Sequence, residues 1–581
     1  MTGKGSRWRI GALILGVLCI FTGLGARLAF LHLGPNDHLL EHIAQLRHTE
    51  RTILAERGRV LDRHGHVLAM DLAVKDVWID PSKLQNYSQL DFMINHLVRI
   101  LHVDPAVIRA RASKAEREYE YVKRYVQRDV AEQLARMQFK GLHFDDALAR
   151  HYPQGSLMSH VIGYSNVDGV GSAGIEQRWN DSLKGRNGLR ISERDGRRAE
   201  MYARRTLDLA PRHGADVELT LDQNLQFMME EALDRGLAKY GGLAAWAIMM
   251  RVQTGEILAM ASRPSFDLNR YGKASDEERR NRAIAFNYEP GSTFKVAVIA
   301  AAFNEGLIHP DQIVDCENGR WMYRGRPLRD YKPNGLLSVA DVLKKSSNIG
   351  AAKIALMLPE DRFEKYLRDF GFGARTGIDL PGEEPGILSG RSAWSAISVS
   401  RIAMGHEVAV TGLQLLNSVN AMANNGFLMR PYVVRRVVDK DGLVLHEGAP
   451  HILGRPIRED TAKLMTRLLA RVTEEGGTGR AAHLENYTVA GKTGTAQKPI
   501  PGGYADRQNY ASFVGYLPAE QPEISIVVIV DDPQPVRTGG GVAAPIFKDI
   551  AAEAVQYLNI PSSVRSVQQL DRNEFARKTT S

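Results

Sequence analysis

The chain has 581 residues, of which 44% are hydrophobic and 24% charged, an ordinary globular composition with material for two or more domains. Its net charge of +8 is spread thinly among interleaved acids, and no basic block carries interleaved aromatics, which argues against nucleic-acid binding. The two cysteines, Cys19 in an apolar segment and Cys316 far downstream, give no sign of an intrachain disulfide.

The first nine residues carry Lys4, Arg7 and Arg9 and no acid. Ile10 to Ala26 is uninterrupted apolar or small sequence, and apolar character resumes after Arg27 at Leu28-Ala29-Phe30-Leu31. This predicts a membrane span over 10–33, with its basic flank (1–9) held in the cytoplasm and the body outside. A cleaved signal peptide is the rival reading, and Gly23-Leu24-Gly25-Ala26 offers it small residues, but the lack of an Ala-x-Ala-like site and the apolar run after Arg27 disfavour it. Leu39, Leu40, Ile43 and Leu46 then fall at helical spacing and predict an amphipathic helix over 36–49. Glu56 to Ala69 predicts two strands around a turn at His64-Gly65. His64 and His66, without acids or cysteines at ligand spacing, read as solvated turn residues and not as a metal site. Residues 80–140 are charged and patterned as helix. In Gly174-Ile175-Glu176, the acid reads as a structural group that bonds backbone or arginine.

The pattern changes near Gly214. Asp216 to Asp222 predicts a strand, Leu225, Met228, Met229, Ala232 and Leu233 the apolar face of a helix, and Thr254-Gly255 the turn of a hairpin. Tyr288-Glu289-Pro290-Gly291 then leads into Ser292-Thr293-Phe294-Lys295 and a helix so apolar, Val296 to Phe303, that it must be buried. Ser292 and Lys295 lie one turn apart on one face of it. The bland reading is a hydroxyl cap beside a snorkelling lysine; the sharper one is a nucleophile and its base, at the only Ser-x-x-Lys in the chain. Downstream, Ser346-Ser347-Asn348 precedes an apolar helical run, Ala351 to Leu358, and Tyr487 to Ala496 reads as a strand bearing Lys492-Thr493-Gly494. Strands over 512–516 and 524–530 and a helix over 545–558 follow. Strands at both ends with helices between predict an α+β domain on a central antiparallel sheet. The polar, basic tail 561–581 is expected to be disordered.

Ser-x-x-Lys, Ser-x-Asn and Lys-Thr-Gly, in that order, resemble the motif set shared by penicillin-binding proteins and class A β-lactamases. Arg57-Gly58-Arg59-Val60-Leu61-Asp62-Arg63 and Gly174-Ile175-Glu176 resemble the class B penicillin-binding proteins in particular, so that the likeness covers residues 50–555. It implies a transpeptidase domain over 214–560 on a mixed α/β pedestal, the class B dimerisation-type domain, over 34–213. The activity implied is that of a peptidoglycan D,D-transpeptidase, with no cofactor or metal, acting on stem peptides and acylated by β-lactams.

The family's roles carry over onto matching positions. Ser292 is the expected nucleophile and Lys295 its base, kept neutral by burial and by a nearby cation that Lys492 could supply. The backbone N–H groups of Ser292 and Thr495 are the expected oxyanion hole. Ser346 relays the proton, Asn348 holds Lys295 and the substrate amide, Lys492 and Thr493 bind the substrate carboxylate, and Gly494 lets it approach the backbone. Ser346-Ser347-Asn348 is similar to the cell-division (FtsI) branch, which implies a septal role, an FtsW-type glycosyltransferase and other divisome proteins as partners, and an inner-membrane, single-pass protein facing the periplasm. The elongation branch is the alternative. No Glu-Asp-x-x-Phe glycosyltransferase motif is present, and Thr411-Gly412 has glycine where the family often has proline. A β-lactamase would need a Glu-x-x-Leu-Asn segment, which is missing; a penicillin sensor would need several spans; an inert scaffold would not need these motif residues intact.

Overall fold

Gly5–Leu33 forms one uninterrupted helix, α1, within which Arg7–Leu33 has a mean hydropathy of 2.1 and is long and apolar enough to cross a bilayer. Its one hydroxyl in mid-span, Thr22 Oγ1, donates to the Leu18 carbonyl at 2.7 Å, so that no polar hydrogen is left over. The computed structural model describes residues 5–33, 48–85, 87–195 and 200–563. The helix expected over 36–49 lies outside them except at its end, where His48–Ile53 is a strand instead. Nearly all of the 561–581 tail also lies outside them.

The chain divides into two compact units, 1–55 with 186–212 and 56–185 with 213–581. In the first, His48–Ile53, Gly188–Arg194 and Glu200–Leu209 form a three-stranded antiparallel sheet with the Gly188 strand in the middle.

In the second unit, a seven-stranded sheet takes Val444–Glu447, Val434–Val438, Asp216–Leu219, Val60–Leu61, Val67–Ile79 and Glu120–Val126 in that order, with Leu142–His151 also on the Val67 strand. Strands from before and after residue 214 therefore share one sheet, and Val60–Leu61 runs parallel to Asp216–Leu219. Residues 80–140 are not all helical. Helices Leu90–Leu101, Pro105–Ala112 and Arg128–Ala135 surround the strand Glu120–Val126. There Glu120 and Val122 turn inward and Tyr121 and Lys123 outward, a short alternation that breaks at Arg124 and that the charge of the segment masks. The turn histidines are half-exposed but paired: His64 Nε2 lies 2.9 Å from Asp222 and His66 Nδ1 3.0 Å from Asp62.

The second layer system is a five-stranded, fully antiparallel sheet. Its strands β1 (Ala244–Arg251), β2 (Ile257–Arg263), β5 (Ala490–Ile500), β6 (Gly503–Leu517) and β7 (Ile524–Asp531) lie in the order β2-β1-β7-β6-β5; β3 (Arg320–Tyr323) and β4 (Arg326–Arg329) form a separate hairpin. One face of the sheet, with Ala247, Met249, Phe513 and Val528, packs on helices Gln223–Tyr240 and Ala543–Tyr557 through Met229, Leu233, Phe547 and Ile550. The other face, with Trp246, Ile248, Val514 and Ile529, packs on the helix Gly412–Ala423, and the helix Lys295–Asn304, called α2 here, belongs to the same core. Coverage on both faces explains why β1 and β7 read as continuous apolar runs, without alternation. The α+β expectation with a central antiparallel sheet matches this architecture. The strand expected from Tyr487 begins at Ala490 and continues to Ile500.

Candidate active site

The loop before α2 is fixed by close backbone contacts. Gly291 has φ +57°, and a Cβ there would sit 3.0 Å from the Thr495 carbonyl oxygen on β5. From the other side Gly405, at φ +79°, lies so near that its Cβ would be 2.2 Å from the Gly291 oxygen. Only glycine fits at either position. A single 3₁₀ turn, Gly291–Phe294, follows and runs into α2. Ser292 is half-buried, and its hydroxyl has no hydrogen-bond partner among the described residues.

Lys295, on the first turn of α2, is fully buried. Its Nζ donates to the Ser346 carbonyl at 2.7 Å and to Asn348 Oδ1 at 2.8 Å, with Ser346 Oγ at 3.3 Å. The two acceptors come from a short connection between the helices α3 (Val339–Lys345) and α4 (Asn348–Ala355). Ser346 ends α3 in a left-handed conformation, φ +61°, that costs a residue with a side chain about 1 kcal/mol. Ser347 then caps α4, its Oγ accepting from the Gly350 N–H at 2.9 Å, so α4 starts three residues earlier than the apolar run suggests.

Opposite, Lys492 is also fully buried, on β5, the edge strand of the sheet. Its Nζ donates to Ser346 Oγ at 2.8 Å and to the Thr493 carbonyl at 3.0 Å. Ser346 Oγ thus lies between two lysine nitrogens. Thr493 Oγ1 is tied to Thr478 Oγ1 at 2.9 Å. At Gly494 a Cβ would meet Ser512 Oγ at 2.3 Å and the Pro290 oxygen at 2.9 Å, so the missing side chain lets the Ser292 loop lie on β5.

Burial lowers Lys295 to about 7, against the opposing pull of Asp330. Burial also pushes Lys492 well below the usual lysine range, and the charge on Lys295 pushes it further. A neutral amine has two hydrogens and a lone pair. With the Lys295 hydrogens directed at Ser346 O and Asn348 Oδ1, the lone pair is left to accept a proton.

Two families of known proteins match successive parts of the chain. The penicillin-binding protein dimerisation domain family matches residues 52–219, and the penicillin-binding protein transpeptidase domain family matches residues 245–552, more than half of the chain. The chain belongs to the class B penicillin-binding proteins. Among relatives of this class B protein, the probable peptidoglycan D,D-transpeptidase PenA of Neisseria meningitidis is 31% identical, over 96% of this chain and 94% of the relative. The peptidoglycan D,D-transpeptidase FtsI of Escherichia coli is 29% identical, over 98% and 94%. Penicillin-binding protein 3 of Mycobacterium tuberculosis, solved in complex with aztreonam, superposes with a TM-score of 0.70 at 26% identity, covering 88% of this chain and 98% of that one.

Of the residues singled out in the sequence of this penicillin-binding protein, Lys295, Ser346, Asn348, Lys492 and Thr493 form one hydrogen-bonded cluster. Ser292 stands one helical turn from it, with Gly494 and Thr495 on the strand that its loop touches. Sequence reasoning missed Asp330. Its carboxylate accepts from the N–H groups of Asn348 (2.6 Å) and Ile349 (3.0 Å) and from Ser347 Oγ (2.7 Å). An anion at the N-terminus of α4 holds Asn348 in place and favours the protonated form of Lys295. Asp330-Tyr331 lies in the irregular segment after β4, with no motif to mark the acid. Thr478, in Gly476-Gly477-Thr478-Gly479, also carries no motif that marks it in the sequence, and its contact with Thr493 is visible only in the structure.

Proposed function

We propose that this protein cross-links peptidoglycan stem peptides by D,D-transpeptidation, with Ser292 as the acyl carrier. The observation that carries this reading is the buried Lys295 amine, which has two acceptors for its hydrogens and lies one turn from an unpartnered serine hydroxyl. Ser292 Oγ attacks the carbonyl carbon between the two terminal D-alanines while its proton passes to Lys295. The N–H groups of Ser292 and Thr495 carry the oxyanion. The C–N bond then breaks, Ser346 passes a proton to the departing D-alanine nitrogen, and an ester on Ser292 remains. The amine of a neighbouring stem peptide attacks that ester, and the same groups run in reverse to free Ser292.

Lys492 and Thr493 bind the terminal carboxylate. A carboxylate there raises Lys492, and the cation so stabilised lowers Lys295 by repulsion. Substrate binding thus shifts the shared proton onto Lys492 and leaves Lys295 free to act as base. β-Lactams place a carboxylate and a strained amide in the same positions; the aztreonam complex of the mycobacterial protein supports that extension.

The septal assignment rests on Ser346-Ser347-Asn348 and on the likeness to FtsI. With it go partners of the FtsW type, a pedestal over 34–213 beneath a catalytic domain over 214–560, and α1 as an inner-membrane anchor with the cytoplasmic side at its basic N-terminal flank. Intact-mass measurement after incubation with a penicillin tests the chemistry. A stable single adduct on the wild type that is missing from Ser292→Ala supports it; rapid drug hydrolysis or no adduct overturns it. Depletion that gives filaments with unfinished septa supports the division role, and rounded cells point to elongation.

A further inference from the structure

The hairpin beside the cluster carries a charge arrangement that folding does not ask for. In the β3–β4 register Arg320 stands directly opposite Arg329, and Met322 opposite Pro327. Directly opposed residues share a face, so this face presents two adjacent arginines with Met322 and Pro327 next to them. All four are exposed. Like charges directly opposite one another destabilise a two-stranded ladder. Among the described residues neither arginine has an acidic partner. Asp330 is adjacent in sequence, but its carboxylate is turned to Ser347 and the start of α4. The other face does the structural work: Trp321 packs opposite the buried Leu328, with Lys353 over the Trp321 ring at 5.2 Å.

This face is also tied to the catalytic cluster. Asn348 donates from Nδ2 to the Arg329 carbonyl at 2.8 Å while its Oδ1 accepts from Lys295. Two hydrogen bonds therefore separate the hairpin from the base. Arg401 reaches the same hairpin, its guanidinium donating to the Pro327 carbonyl at 3.3 Å, and adds a third cation.

We infer that this face docks an acidic peptide: the stem peptide whose acyl group Ser292 accepts, held through carboxylates upstream of the scissile bond. The inference rests on the transpeptidase reading. In that reading the terminal carboxylate is bound at Lys492 and Thr493, and a chain passing Asn348 meets Arg329 next. The arginines supply bidentate partners for side-chain carboxylates, and Met322 and Pro327 an apolar floor for the peptide backbone.

The test is a competition with the full-length protein in detergent. Two synthetic pentapeptides ending in D-Ala-D-Ala, both with a free terminal carboxylate, differ in that one has free and the other amidated side-chain carboxylates. Each is used to slow the labelling of Ser292 by a fluorescent penicillin. In the wild type the free acid should protect at about tenfold lower concentration than the amide, an advantage that shrinks as salt is raised. In Arg320→Gln/Arg329→Gln the advantage should fall below about threefold, while labelling without peptide stays at the wild-type rate. Equal protection by the two peptides, including none by either, overturns the inference, as does an advantage retained in the double variant. A wild type that the penicillin does not label at all fails the transpeptidase reading itself; normal labelling without a charge preference fails only the docking face.

Discussion

Ser346 has the most demanding position in the site. Its left-handed backbone turns its carbonyl onto Lys295, and its hydroxyl lies between Lys295 and Lys492. Ser346→Gly removes the strain and keeps the carbonyl, but deletes the hydroxyl. Melting should shift by no more than about 1 kcal/mol in stability, because strain relief offsets the lost hydrogen bonds, while penicillin acylation falls by about 10²-fold or more. A comparable fall in both would make the residue merely structural. Lys295 sets the pH response. It is lowered to about 7, so the neutral base is lost as pH falls through that value. The acylation rate should rise to a plateau above about pH 7 and at two pH units lower should retain about 1% of it. If substrate carboxylate arms the base by protonating Lys492, an ester of the same drug should show its inflection at higher pH than the free acid. Coincident profiles would remove the arming step.

At the scale of elements, the residues of the candidate site were legible where chemistry restricts residue type. A serine and a lysine at helical spacing in an apolar helix, and a lysine in a strand, stand out because burial makes them costly. What lay between them was not legible. Asp330 orders α4 from an irregular segment, and the strand Glu120–Val126 is hidden by its charged outer face. The contact that presses the Ser292 loop onto β5 comes from Gly405, outside every motif, and only its three-dimensional neighbour, the Gly291 backbone, explains it. Gly405→Ala puts a methyl 2.2 Å from the Gly291 oxygen at a φ of +79°, so that the loop must move. Acylation should slow by about 10²-fold without any change in a residue that touches substrate, and far-UV circular dichroism should remain native. Unchanged acylation would show that the loop tolerates the shift.

For the whole molecule, the family was readable from motif order, but the contacts that join distant segments were not. Glu176 is the clearest instance. The sequence suggested only that it bonds backbone or arginine. In the structure it is fully buried, accepts from Arg57 Nε at 2.6 Å across 119 residues and from Arg150 Nε at 2.7 Å, and Arg150 also reaches Asp71 at 3.2 Å and the Gly58 carbonyl at 2.9 Å. The cluster ties the segment that opens the Val60 strand to the Leu142–His151 strand and to the helix Gly174–Arg178, all within the seven-stranded sheet and its flank. That sheet also contains Asp216–Leu219 and Val434–Val438, so the cluster braces the scaffold on which the catalytic portion is built. A buried ion pair adds little over an apolar replacement, but removal of one partner leaves the others charged and unpaired. Glu176→Gln should therefore cost about 3–5 kcal/mol in denaturant unfolding. Below the unfolding transition its penicillin acylation should stay within about twofold of wild type, since the lysine pair is built from other elements. A stability loss under about 1 kcal/mol would mean that water or a neighbouring acid replaces the carboxylate. A large acylation defect in folded protein would mean instead that strain in this cluster is transmitted through the shared sheet to Ser292.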